Sequence, residues 1–148
     1  MSSTAFAAVL AATAGLAGAV QIAVQGRLNE RVGSIEAAAT ASVIGAALAL
    51  VVILVARRSL AGVGDAVAGP KWQLLGGAMS ICIILAITIA GPRIGVVATS
   101  AFLIAAQFAL AAVIYRYGWF GVERVAFSWA RVLGIGFLIV GAALTLRR

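Results

Sequence analysis

The sequence predicts an all-α integral membrane protein, and three observations carry that prediction. Hydrophobic residues make up 64% of the chain, charged residues only 10%, and the mean hydropathy is +1.17; soluble domains are nearer half apolar and a quarter charged. Apolar runs of about 20 residues recur between short charged connections, the length a helix needs to cross a bilayer. The apolar/polar alternation of a membrane barrel, the other way to satisfy the backbone in lipid, is absent. The chain reads as one transmembrane domain with five helices, approximately 4–26, 35–56, 72–90, 94–114 and 130–146.

The first helix carries small residues at every fourth position, Ala7, Ala11, Gly15, Ala19 and Ala23, a stripe along which another backbone can approach closely. Its pattern continues a turn or two past Gly26, where Arg27, Glu30 and Arg31 are spaced for pairing on one face. Gly33 is a C-terminal stop and Ser34 an N-cap for the second helix. That helix repeats the stripe with Ala37, Ala41, Gly45 and Ala49, and Arg57-Arg58 mark a membrane surface. The following stretch, RRSLAGVGDAVAGPK, is rich in glycine and is expected to be an exposed loop. Trp72 opens the third helix at interface level. GPRIG then reverses the chain, with Pro92 at or near the first position of the fourth helix. Aromatic and basic residues, YRYGWFGVERVAFSWAR, form a connection at headgroup depth. The short fifth helix follows, its start as early as Phe127 and its end at Arg147-Arg148. No internal duplication is evident. Met1 to Ala12 lacks the basic start of a secretory signal, so the first helix is expected to be retained.

Several function classes fall away at this stage. With no His and a single Cys, Cys82 in an apolar run, neither a disulfide framework nor a Cys/His metal site within one chain is expected. No nucleophile–base constellation suggests an enzyme, and no cofactor is implied. The net charge of +7 is spread over helix ends, so it fits anionic headgroups and snorkelling better than nucleic acid. The expected partners are membrane lipid and a small solute.

The same charges bear on orientation. On the side of the N-terminus lie Arg57, Arg58, Lys71, Arg116, Arg124 and Arg131, six in all. On the other side lie Arg27, Arg31, Arg93, Arg147 and Arg148, five in all. Orientation follows the Lys/Arg excess of short cytoplasmic loops, and an excess of one instructs almost nothing. Insertion both ways up, and therefore an antiparallel homodimer of ten helices, is the natural expectation. A paralogous partner in the opposite sense is the alternative.

Taken in order, these pieces resemble the YdcZ-type branch of the drug/metabolite transporter superfamily. The resemblance rests on Gln25 with Asn29, Gly33-Ser34, Ser42 and Gly45 in the first hairpin. In the second half it rests on Trp72, Gly76-Gly77, Pro92-Arg93 with Gly95, Gln107, and Gly118 with Gly121, and in the last helix on Arg131, Gly134 and Gly141. Two positions depart from that pattern: Ala106 stands where relatives often have Gly, and Tyr115 where they often have Asp. The resemblance implies half of a ten-helix transporter in a bacterial inner membrane. It implies homodimers, paralogous pairs or fusions as the working form.

Candidate site residues are the polar groups at membrane depth, which are costly unless paired or wet. Gln21, Gln25 and Asn29 recur every fourth residue on one helix face. Gln107 lies about 20 Å from the Gln21 side, and in an inverted copy it falls at a depth close to Gln21. These four are the candidates for solute binding. Glu36 is a candidate proton or cation site, although an acid in a first helical turn is also favoured by the dipole. Arg93, read at a helix start, is a candidate anion contact. A transporter of a small neutral or anionic organic solute by alternating access is the leading expectation. A dual-orientation ion channel and a non-transporting assembly subunit are its rivals.

Overall fold

A computed structural model describes residues 3–125 and 128–146, with the side chains of Ser3 and Arg131 excepted. Phe127, Arg147, Arg148 and the Arg131 side chain therefore lie outside the described residues. Among those described, every regular element is helical: α1 Ser3–Val32, α2 Ser34–Arg57, α3 Ala61–Ala68, α4 Leu75–Tyr117 and α5 Trp129–Leu144. Single 3-10 turns at Lys71–Leu74 and Trp119–Gly121 precede and follow α4. Three stretches are long and apolar enough to cross a membrane, Thr4–Val32, Ser34–Arg57 and Lys71–Tyr117, and Val132–Leu144 is a shorter apolar helix.

The connection after Arg58 corrects the expectation of a loop, for it contains α3. Its glycines suggest irregular chain, yet both ends are secured. The Ser59 hydroxyl accepts the Ala61 N–H at 3.1 Å, and Lys71 Nζ donates to the Val67 carbonyl at 3.0 Å beyond the other end. Upstream, Arg58 takes a left-handed conformation (φ 53°) and donates to the Leu54 carbonyl, closing α2.

The GPRIG reversal also differs from expectation. Pro92 lies inside α4 with helical neighbours, and the chain departs from helix three residues later, at Gly95 (φ 84°, ψ 163°). Only glycine adopts that backbone readily. Proline removes one amide proton, a loss a helix survives if the orphaned carbonyl finds another donor. The α1–α2 break has the same construction: Gly33, with φ 95° and ψ 161°, is the one residue between two helices. Each break reads Arg, β-branched residue, Gly: Arg31-Val32-Gly33 and Arg93-Ile94-Gly95. One local device is thus used twice in a chain that shows no broader duplication.

The chain divides into two compact units. The central unit, Ala23–Pro92, holds the end of α1, all of α2 and α3, and α4 up to its proline. Its buried residues are small or polar: Gln25, Gly26, Ala37, Ala38, Thr88 and Gly91, with Ile87 the one larger apolar side chain. The flanking unit comprises the described residues before and after it, and buries Ile22, Ala98, Thr99, Ala105 and Ala142. Small residues let helix backbones approach where lipid supplies no hydrophobic drive for packing. The stripes are only partly used, however. Ala37 is buried and Ala41 half-buried, but a Cβ placed on Gly45 or Gly15 would meet nothing within 4 Å.

Candidate functional site

The polar cluster of the central unit follows from Pro92. In a regular helix the carbonyl of Thr88 would accept the N–H of residue 92, and proline has none. Thr88 is fully buried, so water cannot substitute. Asn29 does, with Nδ2 donating to the Thr88 carbonyl at 3.1 Å. The other end of that amide is held as well, because Ser34 Oγ donates to Asn29 Oδ1 at 2.8 Å. The two contacts fix the amide's orientation chemically: a backbone carbonyl can only accept, so nitrogen must face it. One side chain thus ties the end of α1 to the start of α2 and to the proline turn of α4.

Gly26 makes room for the same turn. A Cβ there would lie 3.3 Å from Pro92 Cγ, tighter than relaxed van der Waals contact, and 3.5 Å from Cδ. Thr88 spends its own hydroxyl proton on the Ile84 carbonyl at 2.7 Å. Thr99 and Ser42 do likewise with Gly95 and Ala38 at 2.8 Å each. Hydroxyls that bond back to their own helix are satisfied without outside help.

Gln25 is different. It lies one turn before Asn29 on the same face of α1 and is only 3% exposed. Its Nε2 is buried and has no hydrogen-bond partner among the described residues. Two carboxamides about 6 Å apart along one helix are therefore in opposite states, one with both ends bound and one holding an unused donor.

The remaining candidates are placed as follows. Glu36 is exposed and stands in the first turn of α2, its carboxyl folded back toward Gly33; a Cβ on that glycine would lie 2.8 Å from Glu36 Oε2. That position, at the positive end of a helix dipole, accounts for an acid without any transported ion. Arg93 is exposed and precedes the Gly95 break, so it occupies the last turn of a helical segment and not the first. There the dipole favours the cation itself, and the helix-start argument for an anion contact no longer applies. Gln21 and Gln107 both belong to the flanking unit and are exposed on a single chain. The structure therefore brings Gln25 and Asn29 together with Thr88 in one unit. Thr88 and Gly26 are the members sequence reasoning missed. The available signal was Pro92 itself, whose missing proton points four residues back to Thr88.

A cleft of about 630 Å³ lies elsewhere, between the end of α2 and α3, lined by Ile53, Arg57, Ser59 and Ala66 among others. None of the predicted site residues lines it.

Long apolar helices, an exposed surface of large aliphatic side chains and a small polar cluster between helix ends define a helical membrane protein. Over residues 6–144 the chain matches the family described as "Putative inner membrane exporter, YdcZ", and it belongs to that family. The role so described is transport across a membrane. No curated protein and no solved structure matches the chain.

Proposed function

We propose that the chain is one half of a small-solute exporter, working as two copies inserted head to foot in a bacterial inner membrane and opening alternately to either side. In this reading each copy crosses five times: α1, α2, the two parts of α4 on either side of Gly95, and α5. Residues 96–117 span about 33 Å at helical rise, enough to cross a hydrocarbon core. Inverted symmetry gives such a pair its mechanism. Two identical chains can exchange conformations, so the inward-open and outward-open states have equal energy.

The observation that carries the proposal is Gln25, a buried donor with no acceptor among the described residues, in a protein whose family is described as an exporter. Two further facts support a second copy. Gln107, about 18 Å along its helical segment from Gly95, is exposed on one chain, where lipid would leave its amide unsatisfied. Within the small-residue stripes, a Cβ on Gly15 or Gly45 would meet nothing within 4 Å among the described residues.

The test is orientation and flux together. Single cysteines at Ser59 and at Glu30, each in a Cys82→Ala background, are labelled in membranes with an impermeant thiol reagent from one side. Comparable labelling of both sites supports opposed copies, and cross-linking should then capture the pair. Purified protein in liposomes should show saturable exchange, which a channel would not. A chain facing only one way, with no inverted companion, refutes the proposal.

A further inference from the structure

Resting on that reading of Gln25 as a solute site, we infer that the exported solute presents a carboxylate or carbonyl oxygen, which accepts the hydrogen bond that Gln25 Nε2 leaves unmade. An amide nitrogen is a donor only. Buried and unpaired, it carries its full desolvation cost until an acceptor arrives. The acceptors nearby in sequence each already hold a proton, and neither bonds to Gln25. Asn29 Oδ1 takes the Ser34 proton, and the Thr88 carbonyl takes the Asn29 amide. The carboxylates of the central unit are no better placed. Glu30 pairs with Arg27 at 3.0 Å, Glu36 folds toward Gly33 on an exposed turn, and Asp65 belongs to α3 at the far end of α2. Among the described residues no acceptor reaches Gln25 Nε2, and in this proposal the solute supplies it. An ionised carboxylate is the strongest candidate because its bonds to N–H donors are charge-assisted, and a neutral carbonyl meets the same geometry more weakly.

The contrast with Asn29 makes the inference specific. Each amide stands on the face of α1 that meets α4, one helical turn apart. The fold uses the first completely as a strut and leaves the second open. If Gln25 were a second strut, it would show a second partner, as Asn29 does.

The experiment measures thermal shifts and liposome exchange for the purified full chain with short carboxylates, their neutral amides, and primary amines of equal length. Carboxylates should shift the melting temperature most, amides less and amines not at all. Gln25→Met removes the donor and keeps the length. It should weaken carboxylate binding by about tenfold or more while leaving the ligand-free protein as stable as before, or more so, because an unsatisfied buried donor has gone. Gln25→Glu, which puts an acceptor in its place, should lose carboxylates and gain amines, and it serves if Gln25→Met fails to fold. Ligand-free destabilisation of Gln25→Met with carboxylate binding intact would mean a structural partner, and would overturn the inference. Exchange of amines by the wild type without carboxylates would overturn it too while leaving the exporter reading standing; no exchange of any class would fell both.

Discussion

Removing the Asn29 amide should cost stability only as long as Pro92 is present. In the native chain, Asn29→Ala leaves the Thr88 carbonyl without its donor at a fully buried position. An unsatisfied buried backbone group costs about 1–3 kcal/mol. Membrane helices soften that figure, because the unfolded reference in lipid also finds partners; cycles on interhelical hydrogen bonds average about 0.6 and reach about 1.7 kcal/mol. Pro92→Ala restores the amide proton that proline withholds, so α4 satisfies its own carbonyl. The break should survive that change, since the non-helical residue is Gly95 and not Pro92. Asn29→Ala made in the Pro92→Ala background should then cost less than in the native background, by about 1 kcal/mol.

The assay is a double-mutant cycle by denaturant unfolding in detergent, followed by helicity and tryptophan fluorescence. Loss of the van der Waals contact between Pro92 and Gly26 affects both Pro92→Ala corners and cancels. If Asn29→Ala costs the same in both backgrounds, the amide is not standing in for the proline's proton, and the account of the cluster is wrong.

Three other outcomes follow from the backbone and the charges. Gly33→Ala and Gly95→Ala should each lose about 1–3 kcal/mol of stability, because both force a side chain into a glycine-only conformation. Gly33→Ala should be the worse of the two, since its Cβ also meets the Glu36 carboxyl, and unfolding measurements in a Glu36→Ala background should bring them level. Gly118→Ala should loosen the segment after α4: Gly118 is left-handed (φ 68°) and donates to the Ile114 carbonyl at 2.8 Å, and a Cβ would press on Arg124. Its readout is the fluorescence of Trp119, which stacks on Tyr117 with ring centroids 5.7 Å apart; an unchanged spectrum would contradict this. Asp65→Lys with Gln73→Lys adds two cations to the connection that carries Arg57 and Arg58, so thiol labelling should become one-sided. Exchange should collapse with it, and activity kept by a wholly one-sided chain would count against opposed copies.

Composition made the membrane class legible, because a bilayer imposes helices of a set length on any chain this apolar. The Gly33 break was legible too, since glycine is what a sharp turn between helices demands; Gly95 was not, for the sequence placed it inside the fourth helix. What the sequence concealed depended on partners far along the chain. Asn29 and Thr88 are 59 residues apart, and nothing in either neighbourhood announces the other. Pro92 was misplaced for a related reason. Proline at the start of a helix is the economical position, and only the Asn29 donor makes the costlier interior position tolerable. The glycines of AGVGDAVA misled in the opposite direction: their propensity penalty of about 1 kcal/mol each is offset in part by the hydrogen bonds at its two ends.

The helix face that carries Gln21, Gln25 and Asn29 shows how one periodic signal divides into three roles. At its end, Asn29 is fully bonded, and its work is to hold a proline turn together. At the other extreme Gln21 is exposed, belongs to the flanking unit, and is available to lipid interface or to a second chain. Between them Gln25 is as buried as a core leucine but keeps a donor unused. Spacing alone cannot rank the three, because helical period reports only which face a residue occupies. Burial separates Gln21 from the others, and hydrogen-bond accounting separates Gln25 from Asn29. Asn29 already supplies the donor that the Thr88 carbonyl lacks, so that carbonyl gives Gln25 no role. The solute proposed above would complete the Gln25 amide, and Gln25→Met is the variant that tells such a ligand from a permanent partner.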